Sequence, residues 1–224
     1  MNRRRLNFGV AAAVFSVVAF CMTTTARATS IPHTNTFEAG MDTVYSQAAF
    51  GLDTIDIRFN PVVTLNNASL LDVGTLAELI ALFASVAVPA NTVSMYFVDA
   101  INHCDVPGPF GGCAEITGDD MVIDIDDASA NLNAHELGHN LGLGHTATAG
   151  RLMDSNITGT LLIAGEATTI NANGAAIIQT DVLGQRFVLI TPIHVVPEPA
   201  SVALLGLGLF GLLAIGRRGR RSPA

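Results

Sequence analysis

The sequence predicts an α+β domain, and three observations predict it. Stretches with strand alternation and one with helical spacing follow in the order strand, helix, strand, strand, strand, and a further helix-like segment comes next. Half of the 224 residues are apolar and only 13% are charged, a composition that builds one packed core and excludes disorder as the main theme. The middle of the chain shows no internal repeat and no long low-complexity linker, so residues 29 to 195 read as one domain.

The two ends differ from that middle. Residues 1 to 28 carry Arg3, Arg4 and Arg5, an apolar run from Phe8 to about Met22, and the small-residue site Ala26-Arg27-Ala28. These are the parts of a secretory signal peptide cut before Thr29. An uncleaved anchor is the competing reading, although the run is short for a span of about 20 residues. Residues 29 to 51 stay open between an inhibitory prosegment and the start of the domain. Lysine is absent, and the net charge of −8 divides into +4 for residues 1–28, −15 for 29–196 (three arginines against eighteen acids) and +3 for 197–224. An acidic domain repels phosphate backbones, which excludes nucleic acid as a partner class.

Residues 54 to 65 begin with period-two alternation and predict a strand ending near Pro61. Thr75 to Val86 follows Asp72-Val-Gly with leucines at helical spacing and predicts an amphipathic helix. Val93 to Ala100 and Met121 to Asp126 predict two more strands; between them lie a Gly/Pro-rich loop and a short strand candidate at Cys113 to Thr117.

The next segment is His135-Glu136-Leu137-Gly138-His139-Asn140-Leu141-Gly142-Leu143-Gly144-His145, an H-E-x-x-H-x-x-G-x-x-H pattern. On a helix turning about 100° per residue, His135 and His139 lie about 40° apart, one turn apart in height, so both imidazoles reach one ion. Glu136 sits beside them, placed to contact a water on the metal without ligating it. Gly142 takes a left-handed conformation that ends the helix and lets His145 return from a loop as third ligand. Three histidines leave a fourth position open, the mark of a catalytic Zn2+ site. At this chain's own residue frequencies the five fixed positions match by accident with a probability of roughly 10⁻⁵.

At these residues the sequence resembles the metzincin clan of zinc metalloproteases, defined by this extended motif and a downstream Met-turn. Arg151-Leu152-Met153-Asp154, eight residues after His145, is the Met-turn candidate. The resemblance implies that Met153 forms an apolar floor under the histidines and that Glu136 is general base and then general acid in peptide hydrolysis. It also implies a zincin domain with a twisted, mostly parallel sheet, an antiparallel edge strand, two main helices and a small carboxy-terminal subdomain. In that arrangement Met121 to Asp126 lies inside the sheet and Cys113 to Thr117 is the edge strand beside the cleft, open to an extended peptide. Asn171 to Gln185 would be the short carboxy-terminal helix. Many metzincins bind Ca2+, for which Asp119, Asp120, Asp124, Asp126 and Asp127 are candidates, though their spacing fits no EF-hand loop.

Cys21 leaves with the signal, so an exported domain keeps Cys104 and Cys113, which in an oxidising compartment predict a disulfide pinning the intervening loop. A thiolate that blocks the metal is the other reading. His103 reads as a loop histidine.

Residues 196 to 224 run Pro197-Glu198-Pro199, then an apolar stretch from Val202 to Ile215, then Arg217, Arg218, Arg220 and Arg221. That order resembles a PEP-CTERM sorting signal, found in exported proteins of Gram-negative bacteria and processed by exosortases. About 17 residues, from Ala200 to Gly216, make a minimal transmembrane helix, with the arginines on the cytoplasmic side. The expectation is a Sec-exported zinc endopeptidase that meets signal peptidase, an exosortase-type enzyme and a peptide or protein substrate. It would associate transiently with the membrane and end at the cell surface, in the outer envelope or outside the cell. A non-enzymatic surface or extracellular-matrix protein that retains the fold is the alternative, and intact Glu136 argues against it.

Overall fold

Seven consecutive apolar or small positions, Thr92 to Val98, cannot face water on either side, and the fold covers them on both. The computed structural model of the chain describes residues 34–198. The expected signal peptide and the expected hydrophobic helix with its arginine tail lie outside the described residues, and no described helix is long and apolar enough to cross a membrane.

In chain order the elements are α1 (Thr34–Tyr45), β1 (Ile55–Phe59), β2 (Val63–Asn66), β3 (Asp72–Val73) and α2 (Leu76–Phe83). There follow β4 (Thr92–Val98), β5 (Ala100–Cys104), β6 (Val106–Phe110), β7 (Gly112–Ala114) and β8 (Asp120–Asp124). The last are α3 (Ala130–Asn140), α4 (Ala164–Asn173), β9 (Ile178–Thr180) and β10 (Arg186–Val196). The main sheet runs β1-β10-β4-β8-β7; its first four strands are parallel, and β7 pairs antiparallel with β8 at the edge. A second small sheet is ordered β3-β5-β6. This is the mixed α/β arrangement with a mostly parallel sheet and an antiparallel edge strand.

All seven residues of β4 are buried. Val93, Met95 and Phe97 join the core under α1 and α3, while Tyr96 and Val98 join a second cluster with Leu79 and Leu82 of α2. Period-two alternation thus sends one strand into two cores. The helix expected over Thr75 to Val86 is shorter, Leu76–Phe83, because Thr75 caps it: its hydroxyl accepts from Glu78 N, and Glu78 Oε2 accepts from Gly74 N.

Four expectations need correction. The strand foreseen over 54 to 65 is two, β1 and β2, which both pair with β10 and are broken around Pro61. The helix foreseen within Asn171 to Gln185 lies earlier, at Ala164–Asn173; Asn171-Ala-Asn-Gly174 is where it stops, and β-branched Ile178 begins the short strand β9. The edge strand foreseen over Cys113 to Thr117 covers only Gly112–Ala114, since Thr117 has φ 62° and turns the chain toward β8. The domain end foreseen at 195 falls inside β10, which ends at Val196.

The strand β10 is central although Pro192 sits in its middle. Ile190 O accepts from Asn60 N at 2.8 Å, so Pro192, two residues on, presents its donorless nitrogen to the same side. There the neighbour is interrupted between Phe59 and Val63, and no ladder bond is lost.

The described part of residues 29 to 51 packs into the main core. Phe37, Met41, Val44, Tyr45 and Phe50 are buried in the main core, and Tyr45 donates to Ala134 O of α3 at 2.7 Å. Gln47 also clamps Thr160 O and Leu162 N. These residues belong to the domain.

Candidate metal centre

Helix α3 begins at Ser129, whose hydroxyl accepts from Leu132 N at 3.2 Å. It ends in a Schellman turn: Leu143 N donates to Gly138 O at 2.9 Å, and Gly142 N, at φ 91°, donates to His139 O at 2.8 Å. The position foreseen for Gly142 is therefore where the helix turns back. Asn140 Nδ2 donates to Glu115 O and Asp120 O, both at 3.0 Å, fastening this end of the helix to the β7–β8 turn.

The turn brings the three foreseen histidines together. His145 Nε2 lies 3.2 Å from His135 Nε2 and 3.2 Å from His139 Nε2. His135 Nδ1 donates to Leu152 O at 2.6 Å and His139 Nδ1 donates to Leu143 O at 2.8 Å. A carbonyl can only accept, so both protons sit on Nδ1 and both Nε2 lone pairs point inward. Burial, the largest influence, lowers His135 below its ordinary value and takes His139 to about 4, which keeps both neutral at physiological pH. The cluster can hold a metal ion.

Glu136 is buried beside these histidines and lines the same cleft of about 500 Å³. Burial pushes its carboxyl up to about 8. Its side chain packs on the backbone of β7, where a Cβ on Gly112 would fall 2.5 Å from Oε1. Met153 is fully buried under α3, where a Cβ on Gly138 would fall 2.6 Å from its sulfur. Met153 lies in the same turn whose Leu152 carbonyl orients His135. Thr158 and Asn156 hold the carboxyl of the adjacent Asp154 below the usual range by hydrogen bonds.

Cys104 and Cys113 form the foreseen disulfide, with Cα atoms 5.8 Å apart, linking β5 to β7 and fixing the β5–β6 hairpin beside the cleft. This removes the free thiolate of the competing reading. His103 stands apart from the cluster. The five candidate aspartates divide: Asp119 and Asp120 gather with Glu115, while Asp124, Asp126 and Asp127 lie at the other end of β8. Tyr45 and Tyr96 donate to backbone carbonyls of Ala134 and Phe83, and neither lines the cleft.

Sequence reasoning missed Gly112, Gly138 and the two orienting carbonyls. A glycine between the motif's glutamate and second histidine, facing a downstream methionine, is a usable signal for Gly138. Backbone carbonyls carry no residue-type signal at all.

A PEP-CTERM protein-sorting motif matches residues 195–221. It implies export and surface sorting in Gram-negative bacteria, with processing by an exosortase-type enzyme. No curated protein and no solved structure matches the chain.

Proposed function

We propose that this chain is an exported zinc-dependent endopeptidase of the metzincin type. The carrying observation is the convergence of three Nε2 atoms, two of them with their Nδ1 protons committed to carbonyls, beside a buried glutamate. Tetrahedral zinc with bonds of about 2.0–2.1 Å separates its nitrogens by about 3.3 Å. The two separations here are 3.2 Å. The mostly parallel sheet with an antiparallel edge strand beside the histidine helix also supports the zincin reading.

Zinc, when bound by His135, His139 and His145, acidifies a water and polarises the substrate carbonyl. Glu136 accepts the water's proton on its carboxylate and passes it to the leaving amine nitrogen. A divalent charge on the neighbouring imidazoles opposes the burial that raises Glu136, so its carboxylate form serves at neutral pH. Leu152 and Leu143 fix the rings, and Met153 fills the space behind them. An extended peptide lies along the free edge of β7 through backbone hydrogen bonds. Export proceeds through Sec, with a signal peptidase cut before Thr29.

The test measures zinc per mole and cleavage of a peptide library, with and without chelator, for the exported protein and for Glu136→Ala. Glu136→Ala retains zinc and loses at least about 100-fold in turnover. Full activity in that variant overturns the mechanism, and stoichiometric zinc with no cleavage of any peptide favours the non-enzymatic alternative.

A further inference from the structure

The described residues hold nineteen acids and three arginines, and every arginine is engaged away from the cleft. Arg58 pairs with Asp56 and Asp181, Arg151 with Glu166, and Arg186 donates to Asp53 O and Asn171 Oδ1. Among the described residues no arginine lines the cleft, whereas Asp105 and Glu136 do.

Further acids lie beyond the two ends of its β7 wall without lining it. β7 forms one wall, and Gly111 and Ile116 mark the wall's two ends. At the Gly111 end Asp127 is close: a Cβ on Gly111 would fall 3.2 Å from its Oδ2. At the other end Glu115, Asp119 and Asp120 bring carboxylate oxygens within 4.8 Å of one another. Burial, and then Asp119 and Glu115, push the Asp120 carboxyl up to about 6, a sign that this group lacks a compensating cation. Asp105, at the tip of the β5–β6 hairpin, overhangs the middle and is held there by the Cys104–Cys113 bond. Between these charges the wall is apolar, with Val106, Phe110, Ile116 and Ile157.

We propose that the cleft selects cationic peptides, with an apolar centre and a basic residue on each side, about four positions apart. The spacing follows from geometry: Gly111 to Glu115 is four strand steps, about 13 Å at roughly 3.3 Å per residue. A peptide extended along β7 places side chains four positions apart opposite Asp127 and opposite the Glu115 group. Acidic peptides meet uncompensated carboxylates at both ends and are turned away. This substrate class rests on the peptidase reading above.

The experiment uses the exported, zinc-loaded protein and three fluorogenic peptides with one apolar core, flanked by Arg, by Ser or by Glu. At 50 mM salt the Arg peptide exceeds the Glu peptide in kcat/KM on the order of tenfold or more, mostly through KM. At 0.5 M salt the ratio contracts several-fold. Glu115→Gln/Asp119→Asn/Asp127→Asn, all exposed positions, collapses the ratio, while Asp53→Asn/Asp99→Asn, exposed and outside the cleft, leaves it standing. Binding of the labelled peptides to Glu136→Ala protein, read by anisotropy, follows the same order. Equal kcat/KM for the three peptides, or a ratio that the triple variant leaves intact, overturns the inference. Charge-ordered binding with no cleavage of any peptide upholds it and overturns the peptidase reading instead.

Discussion

Replacing Gly142 with alanine perturbs the proposed metal centre without touching any of its three histidines. Gly142 has φ 91°, a region where an L side chain costs about 1–2 kcal/mol. Its new Cβ would lie 2.5 Å from Asn173 Nδ2 and 2.6 Å from Asn173 Cβ, so α4 must shift, at about 1–2 kcal/mol more. The sum is about 3 kcal/mol, which for a domain of this size lowers Tm by about 6–12 °C. The same turn holds Leu143 O against His139 Nδ1, so on the zinc reading proposed above the affinity for zinc falls about 10–100-fold. Thermal melting and zinc competition against a chelating dye measure the two effects. The double variant Gly142→Ala/Asn173→Gly relieves the contact and keeps the dihedral cost, so it recovers part of the Tm. A Gly142→Ala protein that melts within 1 °C of the parent, at unchanged zinc affinity, refutes the account of the turn.

Two further outcomes follow from other parts of the structure. Cys104→Ser/Cys113→Ser opens a loop nine residues in span, releasing unfolded-state entropy worth about 2.5 kcal/mol, and lowers Tm by about 5–10 °C; an unchanged melt contradicts this. Asp120 holds its proton to about pH 6 in the folded state, chiefly through burial, against 3.8 unfolded, so the folded state binds more protons between those values. Its contribution to stability is therefore lost as pH rises from about 4 to 6, and Asp120→Asn removes that slope; parallel Tm–pH curves for the two proteins count against it.

The site was more legible than the sheet. His135, His139 and Glu136 lie within one helix turn of one another, so helical geometry alone put them on one face, and Gly142 marked the place where the chain turns back to His145. The disulfide was legible because two cysteines remained once the expected signal peptide was set aside. The strand β10 was not legible, since Pro192 argues against a central strand unless its missing donor meets the gap between β1 and β2. Helix α1 was obscured in a different way: Phe37, Met41 and Tyr45 reveal their role only when α3 and the sheet are packed against them.

The amino-acid sequence by itself determined the three histidines, the glutamate beside them and the sorting segment, because each depends on spacing along a short stretch of chain. Tertiary structure decided how those groups can act. The proton on His135 is fixed by a carbonyl seventeen residues away, Glu136 is buried against Gly112 of the edge strand, and Asp105 of the β5–β6 turn joins Glu136 in a cleft that no described arginine lines. Those relations join residues distant in sequence, and only a folded sheet and a closed turn bring them within reach of one another.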